Sequence, residues 1–459
     1  MQPFPERGSA EWRRLDAAHH IHPFTDPRAL AAGGGTRVIT RGHGVSLWDS
    51  DGNRLLDGLA GLWCVSLGYG RRELVQAAEI QLRELSYCPS FFHTTTPSTI
   101  ELARLLAERT PPGLDHVFFG SSGSESNDTI LRMIWNFWDL EDQPRKRIVI
   151  SREYAYHGST VAAACLGGMS NMHAMSGVLA GFDHIMPPYS YKYGQGMTPE
   201  EFGRRAADAL EERILLLDPE RVAAFFAEPV QGAGGVLVPP ASYWPRVQEI
   251  CRRYDVLLVA DEVICGFGRT GQWFGCDRFD IRPDFMTLAK GITSGYLPLS
   301  AAVVGARVAR TLERKGGRLA HGYTYSGHPV PCAVGIATLQ ILAAEGLVER
   351  TRDETGPYLE RCLREALSCH PLVGEIRGVG LLWAAELVKD KAAGQLFDPA
   401  GEVGERCLAH CFDNGLLLRA VRDALCFCPP LVITRAEIDE MVEKAKKSID
   451  QTAREIGLA

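Results

Sequence analysis

Between residues 76 and 340, short apolar runs alternate with longer segments that have helical periodicity. Short apolar runs of this kind are typical of strands that are buried on both faces of a sheet. Because these runs alternate with helices, the pattern predicts an α/β fold with a mostly parallel sheet. The predicted strands are residues 117–119, 147–150, 223–226, 256–260, 285–288 and 301–304.

The two ends of the chain show a different pattern. Before residue 76, a polar arm is followed by short stretches at 37–40 and 45–49, separated by glycines, which predict a small antiparallel sheet. After residue 344, the pattern predicts a helix at 356–368, a strand at 381–385 and a last helix at 435–456. We therefore predict an N-terminal arm with part of a small domain at 1–75, a large domain at 76–344, and a C-terminal small α+β domain at 345–459.

Two of the predicted strands end abruptly at a charged residue. Asp261 follows the run at 256–260, and Lys290 stands two residues after the run at 285–288. In open α/β sheets, ligands bind beyond the carboxyl ends of the strands. An acid and a lysine at that edge suit pyridoxal phosphate, because the lysine can hold its aldehyde as a Schiff base and the acid can pair with its pyridine nitrogen. The alternative is a solvated lysine and a helix-capping aspartate.

Further motifs follow other predicted strands and belong to the same edge of the sheet. The segment GSSGSES at 120–126 opens a helix, whose free N–H groups and dipole favour a phosphate, although it could be an ordinary serine-rich cap. Tyr156 could stack on a pyridine ring or simply pack in the core. Glu228 brings a carboxylate to the edge, and the loop at 322–327 offers hydroxyl groups. Each motif is weak alone, and their shared position strengthens the cofactor interpretation.

Composition excludes several other classes of protein. The 459 residues are enough for a large core and two lobes, and a net charge of −7 with a pI near 6.0 gives no general attraction to nucleic acid or anionic membranes. No apolar stretch approaches the ~18 residues of a membrane span. Residues 1–18 do not resemble a secretory signal. Thirteen scattered cysteines favour a reducing compartment. We therefore predict a soluble cytoplasmic enzyme.

Three groups of residues could be mistaken for other sites. The segment GFGRTG at 266–271 matches a dinucleotide-binding pattern, but the residues after it lack helical periodicity, so no nicotinamide site is predicted. The histidines at 19, 20 and 22, and the group formed by Cys407, His410 and Cys411, lack paired ligands at the spacing of a structural zinc site. No metal is predicted.

The sequence resembles the class III pyridoxal-phosphate aminotransferases over almost the whole chain, and especially their ω-amine:pyruvate transaminase subgroup. The resemblance implies the fold of PLP-dependent transferases (fold type I), in which a large domain with a mostly parallel sheet of the seven-stranded type is joined to a smaller α+β domain. Six motifs in the family's order carry it: SGSESND at 122–128, YHGST at 156–160, AEPVQGAGG at 227–235, DEVICGFGRTG at 261–271, AKG at 289–291 and YTYSGHP at 323–329.

The resemblance also implies roles for individual residues. Lys290 would be the Schiff-base lysine, and Asp261 would pair with the pyridinium nitrogen. Val263 would pack below the ring and Tyr156 above it. Thr324 would reach the phosphate in the neighbouring subunit, so the active unit would be a homodimer. The implied cofactor-binding residues are Ser122, Gly123, Ser124, Tyr156, His157, Glu228, Asp261, Val263, Lys290 and Thr324.

On the substrate side, the resemblance implies an apolar wall and a mobile arginine that receives carboxylates. The matching arginine is Arg419; the alternative is that Arg419 is a surface cation and that nearby Arg422 binds the acid. Ile264 stands where much of the wider class has a glutamine, which argues against ornithine or γ-aminobutyrate as the preferred donor. The implied substrate-binding residues are Phe24, Leu62, Trp63, Phe92, Tyr156 and Arg419.

The implied activity is transfer of an amino group from a primary amine or ω-amino acid to pyruvate or a similar keto acid, by a ping-pong mechanism. Lys290, once displaced by the amine, would move the Cα proton, while Asp261 keeps the ring nitrogen protonated. One alternative is another PLP enzyme on the same fold, such as an aminomutase, racemase or decarboxylase. A second is a non-enzymatic binding or regulatory module. The sequence leaves the donor open among β-alanine, putrescine and arylalkylamines.

Overall fold

The structure, a computed structural model, describes residues 7–458. Residues 1–6 and 459, which the predicted domain limits include, lie outside the described residues. The N-terminal elements are α1 Ser9–His19, α2 Pro27–Ala32, β1 Ile39–His43, β2 Ser46–Asp49, β3 Arg54–Asp57, α3 Ala60–Trp63, α4 Arg72–Glu84 and α5 Pro97–Ala107.

The central elements alternate strands and helices. They are β4 Leu114–Gly120, α6 Gly123–Leu140, β5 Ile148–Arg152, α7 Val161–Leu166, α8 Ser170–Ser176, β6 Phe182–Ile185, α9 Ser190–Tyr193, α10 Pro199–Leu217, β7 Val222–Ala227, α11 Tyr243–Arg253, β8 Leu257–Asp261, α12 Gly275–Phe279, β9 Phe285–Leu288, β10 Ser300–Gly305, α13 Ala306–Lys315 and α14 Pro329–Ala344. Short 3₁₀ turns occupy Pro219–Arg221 and Lys290–Thr293.

The C-terminal elements complete the chain. They are α15 Leu347–Arg350, α16 Gly356–Leu367, β11 Val373–Val379, β12 Leu382–Leu387, α17 Glu402–Asp413, β13 Leu416–Leu417, β14 Arg419–Val421, β15 Ala424–Phe427 and α18 Arg435–Glu455, with a π-helical turn at Thr351–Thr355 between α15 and α16.

A seven-stranded sheet in the order β4-β10-β9-β8-β7-β5-β6 forms the centre of the molecule. Strand β10 is antiparallel to both of its neighbours, and the other adjacent pairs are parallel. Every residue of β5, β7, β8, β9 and β10 is buried, as continuous apolar runs require. The predicted α/β fold with a mostly parallel sheet is confirmed.

Helix α6 is held against this sheet by its apolar stripe. Ile130, Met133, Ile134 and Phe137 are buried and belong to one cluster with residues of the central strands. Full burial of such a side chain contributes roughly 1.5–3 kcal/mol, so the stripe fixes the helix firmly. At the first turn, the Ser122 hydroxyl accepts a hydrogen bond from the backbone N–H of residue 125 at 3.2 Å. The N-terminus of α6 therefore has a fixed place at the edge of the sheet.

Two smaller sheets lie beside the large one. Strands β1 and β2 form the predicted small antiparallel sheet. Strand β3, which was not predicted, extends it, and β13 joins it in parallel to β3. The other sheet has the order β11-β12-β15-β14 and is antiparallel throughout. Because β13 and β14 are adjacent in sequence, the N-terminal strands are joined directly to the C-terminal small sheet.

A membrane-spanning helix has to be both long and predominantly apolar. Within residues 7–458, no single helix meets both criteria, although α14 and the helical segment 347–367 meet them together as a bent pair. All thirteen cysteines lie in this range, and none of them forms a disulfide.

Candidate active site

The carboxyl ends of β4, β5, β7, β8 and β9 surround a cavity of about 370 Å³. Parallel strands end at the same edge of a sheet, which explains why motifs that are far apart in sequence meet here. Nine of the predicted site residues line this cavity: Ser122, Gly123, Ser124, Tyr156, His157, Glu228, Asp261, Val263 and Lys290.

Lys290 is held in an unusual backbone conformation at the end of β9. Its φ angle is 48°, a left-handed value that a residue with a side chain adopts only when its surroundings enforce it. Desolvation of its amine lowers the pKa of Lys290, and the charge of Asp261 opposes that shift. A lysine with a lowered pKa has a larger fraction of neutral amine, the form that can act as a nucleophile or base.

The Asp261 carboxylate is buried and accepts three hydrogen bonds. Its Oδ1 accepts from the backbone N–H of Val263 at 3.1 Å. Its Oδ2 accepts from Nδ1 of His157 at 2.8 Å and from Nδ2 of Asn127 at 3.1 Å. Since an ionised carboxylate can only accept, the His157 proton lies on Nδ1. Three donors stabilise a negative charge at this point of the cavity.

At the other end of the cavity, the first turn of α6 offers a place for an anion. The first N–H groups of an α-helix have no acceptor within the helix, and its dipole favours negative charge there. Ser124 Oγ accepts from the backbone N–H of Ser159 at 3.0 Å, which joins this turn to the loop after β5. A Cβ on Gly123 would lie 3.2 Å from Cγ2 of Val263, so glycine leaves room for a close approach.

An aromatic ring between two cations marks the substrate side. The centre of the buried Trp63 indole lies 5.3 Å from Nζ of Lys290 and 4.8 Å from the guanidinium carbon of Arg419. Burial lowers the pKa of Arg419. Phe24 contacts the Tyr156 ring edge-on, with 6.4 Å between ring centres. Of these four predicted substrate residues, Tyr156 lines the cavity, Phe24 contacts Tyr156, and Arg419 and Lys290 lie against Trp63.

The alternative carboxylate receptor, Arg422, is engaged elsewhere. Its Nη2 donates to the carbonyl oxygen of Gly234 at 2.6 Å, and its guanidinium lies 4.3 Å from the centre of the Tyr154 ring. Neither arginine lines the cavity, but Arg419 stacks on the Trp63 ring that also lies against Lys290, whereas Arg422 does not.

Six predicted residues are not among those that line the cavity of the single chain: Phe24, Leu62, Trp63, Phe92, Thr324 and Arg419. The side chains of Leu62 and Phe92 are 53% and 80% exposed. Thr324 is exposed, and its carbonyl oxygen accepts from the Tyr87 hydroxyl at 2.8 Å. Their assignment to the site stays a prediction.

Glu228 is buried beside the Asp261–His157 pair. Its Oε2 accepts from the backbone N–H of Gly232 at 2.8 Å. Burial raises the pKa of Glu228 to about 6, so this carboxyl titrates close to neutrality. The sequence indicated its position at the edge of the sheet but gave no sign of this titration.

Sequence reasoning missed two buried residues that support Asp261. Asn127 is 1% exposed, and Thr287 Oγ1 donates to its Oδ1 at 2.6 Å. Two sequence signals could have pointed to them: Asn127 is three residues after Ser124 on one face of α6, and Thr287 lies three residues before Lys290. Several apolar residues of the cavity were also missed, among them Leu297, Pro298 and Leu299.

The remaining motifs have local roles. Among the described residues, Asp16, His20 and His22 form one group with metal-ligand spacing. In it, the two histidine rings are hydrogen-bonded to the Asp16 carboxylate at 3.0 and 2.8 Å. The segment 266–271 forms turns and leads only to the five-residue helix α12, so the helix that a dinucleotide site requires does not follow it.

Comparison with known proteins identifies the family. The model of the aminotransferase class-III family matches residues 30–449. The chain belongs to the class III aminotransferases. A putrescine–pyruvate aminotransferase of Pseudomonas aeruginosa is 51% identical over 444 residues, which are 96% of each chain. A diaminobutyrate–2-oxoglutarate transaminase of Halomonas elongata is 42% identical over 441 residues, 94% of each chain.

Solved structures show that the aminotransferase has the fold that the resemblance implied. An (S)-enantioselective ω-transaminase from Thermomicrobium roseum is 43% identical, with a TM-score of 0.94 over 98% of this chain and 100% of that one. The ω-transaminase of Pseudomonas jessenii in complex with PMP is 40% identical, with a TM-score of 0.95 over 97% of this chain and 99% of that one. The predicted fold type I and family are confirmed.

Class III aminotransferases use pyridoxal phosphate, and the residues present fit that group. The cavity has a buried carboxylate with three donors at one end and a helix N-terminus with serines at the other. These match a protonated ring nitrogen and a phosphate, and the amine of Lys290 is the group that would bind the aldehyde. The aminotransferase is therefore a pyridoxal-phosphate-dependent enzyme.

Proposed function

We propose that this aminotransferase moves an amino group from a primary amine or ω-amino acid to pyruvate or a similar keto acid, in two half-reactions of a ping-pong cycle. The observation that carries the proposal is the arrangement of Lys290, Trp63 and Arg419. It offers a single guanidinium for one carboxylate, beside an apolar wall. The 51% identity with a putrescine–pyruvate aminotransferase supports the same substrate class.

The catalytic roles that we assign follow from the chemistry of the cavity. The bound cofactor supplies an electron sink for the charge that develops at the substrate carbon. Lys290, with its lowered pKa, takes the proton from that carbon and returns it in the reverse half-reaction. Asp261 holds a proton on the ring nitrogen through its negative charge, and a unit charge pair ~4 Å apart is worth roughly 4 kcal/mol at an effective dielectric of 20.

We assign the remaining positions in the same way. Val263 lies below the cofactor ring and Tyr156 above it, with His157 and Glu228 nearby. Ser122, Gly123 and Ser124 hold the phosphate. Phe24, Leu62, Phe92 and Trp63 form the apolar wall.

One pocket has to accept an apolar amine in one half-reaction and a carboxylate in the other. A guanidinium fixed in the pocket would be left buried and unpaired whenever an apolar amine is bound, which costs several kcal/mol. We infer that Arg419 approaches the pocket for the keto acid and withdraws for the amine. Stacking on Trp63 provides a stable resting place, because an aromatic face attracts a guanidinium.

We infer that the active form is a homodimer in which Thr324 of one subunit serves the phosphate site of the other. Two apolar grooves support this. One, of about 540 Å³ between α4 and α14, is lined by Leu82 and Leu297 among others. The other, of about 400 Å³, shares Ser121 and Leu297 with the central cavity. Exposed apolar grooves that continue into a cofactor site are typical of surfaces that another protein chain covers, here a second copy of this chain.

We also infer a cytoplasmic location and the domain limits 1–75, 76–344 and 345–459. The thirteen unpaired cysteines support a reducing compartment. The pairing of β3 with β13 supports the assignment of the N-terminal strands to the same unit as the C-terminal small sheet.

A donor panel with pyruvate as acceptor tests the proposed reaction. We expect alanine to form with β-alanine, putrescine or an arylalkylamine. We expect the protein with Lys290→Ala to bind the cofactor without the absorption band of the lysine Schiff base and to form essentially no alanine. Alanine formation at the normal rate by that variant would refute the role of Lys290. Turnover of an amino substrate that does not depend on a keto acid would indicate an aminomutase, racemase or decarboxylase instead.

A further inference from the structure

The Asp261 carboxylate is oriented partly by a side chain from another element. Asn127, on α6, donates from Nδ2 to Oδ2 of Asp261 at 3.1 Å and to the carbonyl oxygen of His157 at 2.6 Å. Both residues are at least 97% buried. One amide group therefore connects the acid at the end of β8 to the loop that carries Tyr156 and His157.

The orientation of this amide follows from the nature of its neighbours. A backbone carbonyl and a carboxylate can only accept, so the NH₂ of Asn127 must face both of them. Its Oδ1 then points to Thr287, whose hydroxyl lies 2.6 Å away and must be the donor. If the amide turned over, its oxygen would face two acceptors, and the hydroxyl of Thr287 would lose its acceptor.

Thr287 is placed for this contact by the register of the sheet. In the β8–β9 ladder it lies directly opposite Asp261, and its side chain is completely buried. A buried hydroxyl without a partner is costly, so its hydrogen bond to Asn127 also fixes the position of the amide. Two hydrogen bonds, together called the relay, thus connect Thr287 on β9 through Asn127 on α6 to the Asp261 carboxylate on β8.

We propose that Asn127 and Thr287 are positioning residues that hold the Asp261 carboxylate charged and directed at the ring nitrogen of the cofactor. This rests on the proposed role of Asp261. Neither residue lines the cavity, so they act through Asp261. The competing explanation is that the two residues only attach α6 to the sheet, in which case their loss would change the stability of the fold and nothing else.

Protonation of the ring nitrogen separates the two explanations. The enzyme is reconstituted with cofactor that carries ¹⁵N in its ring, and the pH at which this nitrogen loses its proton is followed by NMR. We expect Asn127→Ala to lower that pH by about one unit, because the carboxylate, no longer held by the amide, can turn away from the ring nitrogen and then stabilises its proton less strongly. Asn414→Ala is the matched control, because Asn414 Nδ2 also donates two hydrogen bonds, to Ser448 and Gln451, at a remote position.

A milder pair of variants tests the hydroxyl. Thr287→Val keeps the shape of the side chain and removes the donor. We expect the titration pH to shift in the same direction but less, equivalent to about a threefold loss in the affinity of the ring nitrogen for its proton. The single-turnover rate of the amine half-reaction should fall in parallel. Thr287→Ser keeps the hydroxyl and should restore both. Thr338→Val removes a buried hydroxyl that bonds to Val334 within α14, and should change only the melting temperature.

Each result has a defined meaning. An unchanged nitrogen titration in Asn127→Ala and Thr287→Val, with melting temperatures lowered as in the controls, would overturn the proposal. If Asp261→Asn itself leaves the titration unchanged, the role of Asp261 fails first and the relay has no function. Since the nitrogen titration needs neither amine nor pyruvate, failure of the proposed substrate class does not affect it.

Discussion

Replacement of Arg419 by alanine should damage one half-reaction and spare the other. The Arg419 guanidinium rests 4.8 Å from the centre of the Trp63 ring, and burial lowers the pKa of Arg419. Its charge is therefore poorly solvated, so a carboxylate of the substrate can pair with it strongly. An apolar amine has no group for this contact.

The size of the effect can be worked out from these contacts. Hydrogen bonds to charged groups contribute about 1.5–3 kcal/mol, and 1.36 kcal/mol corresponds to a factor of ten in rate. Loss of the contact should therefore lower kcat/KM for pyruvate by about 10²-fold. Arg419→Ala also removes the stack on Trp63, but this contact is already lost before either substrate binds. Its loss therefore adds little to the difference between the two half-reactions.

Stopped-flow measurements of each half-reaction make the comparison. Single-turnover conversion of the bound cofactor to its amine form by an arylalkylamine should stay within a few-fold of the original rate, while the reaction with pyruvate should fall. Arg422→Ala is the matched control, because Arg422 donates to Gly234 and stacks on Tyr154. Equal losses in both half-reactions of Arg419→Ala, or a pyruvate loss confined to Arg422→Ala, would refute the reasoning.

Three other predictions follow from the site and the grooves beside it. Asp261→Asn keeps the shape of the side chain but removes its charge, and kcat should fall on the order of 10²-fold, since ~3 kcal/mol equals about two decades; a change in KM alone would contradict this. Burial raises the pKa of Glu228 from 4.5 to about 6, so the folded apoprotein retains a proton that the unfolded chain releases in this range. The free energy of unfolding should therefore fall by about 2 kcal/mol as the pH rises through 4.5 to 6. Urea unfolding measured at pH 4.5 and at pH 7.5 checks this: the decrease between the two pH values should be about 2 kcal/mol smaller in Glu228→Gln than in the original protein. Leu82→Arg places a charge in the groove between α4 and α14 and should yield monomers in light scattering, whereas Leu216→Arg, at a leucine that is 75% exposed on α10, should not.

The sequence determined the central strands and the two principal residues of the site. The strand predicted at 285–288 is β9 itself, and those at 223–226 and 256–260 differ from β7 and β8 by one residue at each end. Continuous apolar runs can be read locally, because a strand buried on both faces needs no polar position. Asp261 and Lys290 were found by the same reasoning, since each marks the point where such a run ends.

Tertiary structure alone decided which groups meet. The direction of β10 cannot be read from its apolar residues, because parallel and antiparallel central strands have the same composition. Trp63 acquires its place between two cations from a backbone with φ values of 50° at Ala60 and 58° at Trp63. Asn127 and Thr287, 160 positions apart, come together through strand register and helix packing. A linear pattern contains local periodicity, whereas these contacts depend on the relative placement of whole elements.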